Sequence, residues 1–452
     1  MNTRYYPSLV HIMNQYRAIG GNQGGIIPAT FVTAPEYPGE PFLWSMTTNM
    51  PQYHKIAFDD PDMKMQYHLA GYGLYGEEAL TRLMGESVER YAGLMSGELL
   101  RDGVRYASYR ELSASERCLP LKFLGIYDPE QQERLHRVGG RFATEPPTED
   151  DCIAWVKCAS LVHPGTDVWI PAQVAILGYA PRSESGEKMF APAFSTGTAA
   201  HVTLEDALRN ALIEAIQIDA FVVSWYCDIK APLVEIDDGQ VSELMELMGL
   251  GRGSQYEVFP LQLTLPDLPL PNFGAFLIRR DERIPYITFG VQADADPVRA
   301  MVRAVQESAA ILGMGNTVAV YDPMQIHDAL ANSAYLDLDS NVLRYASPVG
   351  AADQVQLVKA WRGGSVKLSE IKTVAGTTPE TLTALIGMVA SVSEWAAYLD
   401  ITPPELADSP WKAVRVVVPE LVSMCFPGLP PRAHPRIIEH GGVKNDHPHA
   451  LP

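Results

Sequence analysis

An α+β fold, with helices layered on a largely antiparallel sheet, is predicted for this 452-residue chain by two observations. Three amphipathic helical segments recur with one internal spacing, two of them strongly acidic. Between them lie short apolar or aromatic strands bounded by Pro, Gly or charge.

The first helical copy runs Gly76-Glu77-Glu78-Ala79-Leu80 and continues, after five residues, as Glu86-Ser87-Val88-Glu89-Arg90. The second runs Leu204-Glu205-Asp206-Ala207-Leu208 and then Glu214-Ala215-Ile216-Gln217-Ile218-Asp219, keeping the nine-residue interval from Glu77 to Glu86 between Glu205 and Glu214. A weaker third copy, Val298-Arg299-Ala300-Met301 followed by Glu307, holds its small residue, its apolar residue and its final acid at equal spacing. Ala79, Leu80, Leu83 and Met84 form one helical face, which Ala207, Leu208, Ala211 and Leu212 repeat. Start signals agree: Thr203 with Asp206 resembles a capping box, and Asp296-Pro297 offers an N-cap with proline at the first helical position. Gly71, Gly73 and Gly76 make a turn-rich approach to the first helix, as Ser195 and Gly197 do to the second. Strands are predicted at 167–177, 257–265, 273–278 and 286–291, and a buried helix at 382–399 that Ser391, Ser393 and Glu394 keep from being a membrane span. Stretches 20–25, 139–151 and 182–188 read as turns or loops. Residues 1–427 read as a catalytic domain with room for two lobes, and the Pro- and His-rich 428–452 as an extended tail.

Composition narrows the function. A formal net charge of −19 without a Lys/Arg cluster at either end argues against nucleic acid as a partner. Any phosphate bound here needs divalent metal between it and the surplus carboxylates. The five cysteines form no C-x-x-C pair and suit a reducing cytoplasm, and the first ten residues lack the apolar core of an export signal. No P-loop, H-E-x-x-H or G-x-S-x-G motif occurs, so a nucleotide would be held without a P-loop and covalent hydrolase chemistry has little support.

The repeated acids are the main chemical signal. Residues i and i+3 share a helix face, so Glu86 projects with Glu89 and Glu214 with Gln217. Two such helices side by side would gather hard oxygen ligands suited to Mg²⁺, with Arg90 next to them for a phosphate or a carboxylate. The competing reading is a duplicated structural helix whose acids satisfy buried arginines or backbone groups. His201 is a candidate substrate contact, against the alternative of a structural hydrogen-bonder ahead of a helix.

The run Gly85-Glu86-Ser87-Val88-Glu89-Arg90, followed downstream by Ser195-Thr196-Gly197-Thr198-Ala199-Ala200 and Glu205-Asp206-Ala207-Leu208, resembles the YcaO family. Within it the stretch 210–221 is similar to the stand-alone D proteins of streptolysin-type azole biosynthesis. The resemblance implies a YcaO-like fold and an ATP site without a P-loop, with Mg²⁺ held by Glu86, Glu89, Glu214 and Gln217. It places Arg90, Ser195, Asp206 and Arg303 at the nucleotide. The commoner second-helix pattern is Glu-x-x-Glu-Arg-Asp, from which Gln217 and Ile218 depart. The ending Pro448-His449-Ala450-Leu451-Pro452 keeps the outer prolines of a Pro-x-Pro-x-Pro terminus; it implies that Pro452 enters the site, against the alternative of a disordered tail.

The implied activity is ATP-driven cyclodehydration. A Cys, Ser or Thr side chain of a ribosomally made precursor peptide attacks the preceding backbone carbonyl, whose oxygen is phosphorylated and eliminated to leave thiazoline or oxazoline. His201 and Pro452 are the candidates for moving protons. The implied partners are a leader-peptide-binding protein and a flavin-dependent azoline dehydrogenase, with a homodimer left open. Thioamide formation by another nucleophile and a non-catalytic role in a peptide-modifying complex are the alternatives.

Overall fold

The computed structural model describes all residues except 1–6, 22–24, 34, 36, 58–68, 101–102, 140–143, 178, 180, 182–184, 191–192, 332–333, 350 and 375. Parts of the predicted turn at 20–25 and loops at 139–151 and 182–188 therefore lie outside the described residues. Three sheets carry the fold. A small antiparallel sheet joins β1 (Phe31–Thr33), β2 (Trp44–Thr47) and β3 (Ala70–Gly73). The second contains β4 (Arg105–Ser108), β5 (Cys152–Ser160), β6 (Asp167–Pro171), β7 (Thr198–His201), β13 (Ala397–Asp400) and β14 (Lys412–Val417), in the order β4-β5-β13-β14-β7 with β6 on β5, antiparallel throughout. The third holds β8 (Ala231–Glu235), β9 (Tyr256–Gln262), β10 (Asn272–Arg279), β11 (Ile287–Ala293) and β12 (Arg362–Lys367), ordered β11-β10-β9-β8-β12, its one parallel pair being β12 with β8. The predicted α+β layering with a largely antiparallel sheet is what the chain adopts.

Four long helices pack on these sheets: α1 (Gly76–Leu99), α2 (Leu204–Tyr226), α3 (Pro297–Tyr321) and α4 (Thr378–Val392). The first three are the repeated segments, and each follows directly on a strand: α1 on β3, α2 on β7, α3 on β11. Glycine lets strand and helix backbones touch. A Cβ on Gly71 of β3 would lie 1.9 Å from the Ala79 carbonyl oxygen of α1, and one on Gly290 of β11 would lie 2.5 Å from both the Ala304 carbonyl and the Ser308 amide nitrogen of α3. The starts follow the sequence signals. Thr203 accepts the Asp206 N–H at 3.1 Å, and Asp296 accepts the Val298 N–H at 2.9 Å ahead of Pro297. From Ala215 onward α2 is buried on every side, with Phe221, Trp225 and Tyr226 fully enclosed, as an apolar helix without a solvent stripe must be.

Three expectations are corrected. The helix predicted over 382–399 stops at Val392, and Ala397–Asp400 is β13. Ser393 and Glu394 break it because both bind Glu420: the Ser393 hydroxyl donates to its carboxylate at 2.6 Å and the Glu394 N–H at 2.8 Å. The strand predicted over 167–177 ends at Pro171, after which Ala172–Ala175 forms one helical turn. The tail is folded into the body: it carries a short helix, Pro435–Glu439, and Arg436, Ile437, His449, Ala450 and Leu451 are buried.

Candidate active site

Glu86 and Glu89, one turn apart on α1, face Glu214 on α2. Arg90 Nε donates to Glu86 at 2.9 Å and lies 3.9 Å from Glu89. Glu214 accepts the Gly197 N–H at 3.1 Å, so the Ser195-Thr196-Gly197 turn presents a backbone donor to the acid, and Gly197 takes the positive φ of 84° that this turn requires. Arg415, from β14, bolts the same turn in place. It is buried and donates to the Thr196 carbonyl at 2.6 Å, the Thr198 hydroxyl at 3.0 Å and the Val174 carbonyl at 3.1 Å.

Electrostatics sets the character of the site. Burial pushes Glu89 well above the usual carboxylate range, reinforced by Glu86 and resisted by Arg90. Burial likewise pushes Glu214 up to about 7, against the pull of Arg90 and of the Gly197 N–H. Arg415 is driven down to about 10 by burial. Three carboxyls thus share two guanidiniums, and burial with mutual repulsion favours the protonated forms of Glu89 and Glu214 unless a cation stands beside them. Among the described residues no three His, Cys, Asp or Glu side chains are grouped so that they alone could hold a metal ion. Mg²⁺ bound with a nucleotide keeps waters and takes the rest of its shell from one or two carboxylates and the phosphates.

The remaining predicted residues are distributed as follows. Gln217 turns away from the acids: its Nε2 donates to the Val291 carbonyl at 2.9 Å and its Oε1 accepts the Ala293 N–H at 2.8 Å, so its amide completes the edge of β11. Both ends of the amide expected to face a metal are thus hydrogen-bonded to β11. Asp206 is likewise engaged, by the Thr203 hydroxyl at 2.7 Å, the Thr378 hydroxyl at 2.9 Å and Arg209 at 3.0 Å. Burial works to raise its pKa, and the Thr203 and Thr378 hydrogen bonds outweigh it. His201 lies 3.6 Å from Asp206, its pKa lowered by burial. The pair sits at the start of α2, two turns before Glu214, roughly 12 Å along the helix axis. Arg303 lies on α3 at 3.7 Å from Asp294.

Two residues outside the predicted set stand out. Arg415 has no sequence signal, since its partners come from β7, the turn before it and the helical turn Ala172–Ala175. Glu307 is the final acid of the third copy, and the equal spacing was the clue to it. It accepts the Val291 N–H at 2.7 Å and the Gln292 side chain at 3.3 Å, and burial pushes it up to about 7. Burial pushes the Tyr72 hydroxyl of β3 up, and Glu307 and Glu86 both add to that shift.

Comparison with known proteins converges on one family. Residues 70–422 match the family model described as YcaO cyclodehydratase, ATP- and Mg²⁺-binding. A heterocyclase solved in complex with substrate and cofactor aligns with a TM-score of 0.70 at 17% identity, over 99% of this chain and 56% of that one. The YcaO protein of Methanopyrus kandleri, bound with AMPPCP and Mg²⁺, aligns with a TM-score of 0.61 at 19% identity over 92% and 91%. The Escherichia coli microcin synthetase McbBCD complex contains a chain that aligns with a TM-score of 0.56 at 13% identity over 87% and 88%. The chain spans just over half the length of the substrate-bound heterocyclase. Searching curated proteins finds no match. These matches define the class as an ATP-dependent enzyme whose cofactors are ATP and Mg²⁺. The chain belongs to the YcaO family.

Proposed function

We propose that the chain phosphorylates backbone amides of a ribosomally made precursor peptide and closes Cys, Ser or Thr residues into azoline rings. The half-buried cluster of Glu86, Glu89 and Glu214 around Arg90 carries this reading. These acids would hold Mg²⁺, which supplies charge neutralisation for the transferring phosphoryl group. Arg90 keeps Glu86 in position, Arg415 with the Gly197 N–H keeps Glu214 in position, and Glu307 with Arg303 lines the third repeat of the same arrangement. The substrate's own thiol or hydroxyl is the nucleophile, so the enzyme needs none.

Pro452 and His201 are the proposed residues on the peptide side, and the course of the tail supports Pro452. The His449 ring packs on Phe221, 5.4 Å between centroids, and Phe221 lies seven residues after Glu214, two turns along the same face of α2. That separation is about 10 Å of helix, and three extended residues from His449 to Pro452 span about the same length. Partner proteins are proposed to be a leader-peptide-binding protein and an azoline dehydrogenase. A reducing cytoplasm suits the five free cysteines. Titration of Glu86→Gln with AMPPCP in Mg²⁺ tests the metal reading: affinity falls about tenfold or more if one of few carboxylate ligands is lost. Affinity equal to wild type would overturn it.

A further inference from the structure

The short helix Ser340–Ala346 meets the end of the sequence with two side chains on one face, Asn341 and Tyr345, at i and i+4. The Asn341 carboxamide is fully buried, and its Nδ2 donates to the carbonyls of His449 at 2.7 Å and Leu451 at 2.8 Å. Both amide protons are thereby used, and flipping the amide would set its oxygen against two carbonyl oxygens. The Tyr345 hydroxyl donates to the Pro448 carbonyl at 2.8 Å. Three of the four carbonyls from Pro448 to Leu451 are held from this one helix.

The path of the tail explains why that matters. Arg436 is bound to Asp219 of α2, with Nε 2.8 Å from each carboxylate oxygen, and to Asp267 at 2.7 Å. The chain then passes around the end of α2, where the Lys444 and Asn445 N–H groups cap the Tyr226 carbonyl at 2.7 and 3.0 Å and the Trp225 indole donates to the His447 carbonyl at 2.8 Å. It returns along α2 with His449 on Phe221. Ala450 and Leu451 are in the same buried core as Ile218 and Phe221. After His447, Asn341 and Tyr345 grip the backbone of this returning stretch.

We infer that Asn341 is a positioning residue: its double donation fixes the register of 448–451 along α2 and thereby sets where Pro452 lies relative to the Glu214 face. The inference rests on the proposed role of the tail. The test uses full-length Asn341→Leu and Asn341→Asp, which keep the volume and remove the donors, beside a chain lacking residues 449–452. Amide hydrogen exchange should accelerate about tenfold or more over 446–451 while α2 keeps its protection. With MgATP as probe, KM for ATP should stay within about twofold while kcat shifts, and the substitutions should have no further effect in the truncated chain. Tail exchange at the wild-type rate, or equal kinetic effects with and without residues 449–452, would overturn the inference. A wild-type chain that binds no MgATP would instead overturn the metal-nucleotide reading, while the exchange result would still decide the role of Asn341.

Discussion

Glu214 and Arg415 show how a residue's role is set by its neighbours. Position 214 is recognisable as a repeated acid, yet its elevated pKa comes from burial beside α1, and its restraint comes from the Gly197 N–H and from arginines on other elements. Arg415 reads in sequence as an ordinary residue within Lys412–Val417, and only the fold buries it behind the 195–198 turn. Replacing it with Met leaves the Thr196 and Val174 carbonyls without their donor and removes positive charge from beside Glu214 and Glu89. Losing one member of a buried charged set costs roughly 3 kcal/mol or more. Chemical denaturation of Arg415→Met should show that loss, together with weaker Mg²⁺-nucleotide binding. Gln217 makes the complementary point. Its i+3 relation to Glu214 predicts a shared face, but β11 claims both ends of its amide.

At the scale of elements, the three strand–helix units were legible because periodicity, caps and glycines all act within a few residues of one another. The break at Ser393 was less legible, since Glu420, which captures Ser393 and Glu394, lies more than twenty residues downstream. The tail was misread for a similar reason: a Pro- and His-rich segment has no periodicity, and its order comes from Asp219, Asn341, Tyr345 and the end of α2. That docking carries a pH dependence. Burial drives both His434 and His449 down to about 4 from an ordinary value near 6.5. A depressed pKa means that the stability contributed by the neutral rings is complete above the unfolded value and is lost as pH falls through the folded one. Each unit of depression is worth about 1.4 kcal/mol per histidine. Tail amides should therefore lose exchange protection between pH 6.5 and 4, and His449→Phe, which keeps the aromatic contact with Phe221, should reduce that loss.

At the scale of the molecule, a net charge of −19 and the proposed acid site predict that nucleotide binding depends on divalent metal. Thermal unfolding should show this directly: MgATP raises Tm, by the stabilisation of a ligand bound only to the native state, whereas ATP in excess EDTA does not. An equal shift without metal would contradict the site. Among the described residues no helix is long and apolar enough to cross a membrane, in keeping with the interrupted apolar stretch near 382–399.

The sequence by itself determined the α+β class, the three repeated helices with the caps of the second and third, and the repeated spacing of the acids at positions 86, 214 and 307. Those features depend on contacts within one or two turns of chain. Tertiary structure alone decided that Gln217 serves β11, that Asp206 serves the start of α4, that Arg415 backs the acid cluster, and that the tail returns along α2. Each of these rests on hydrogen bonds or charge pairs between distant segments, where burial raises the cost of an unmet polar group and so fixes which partner it takes.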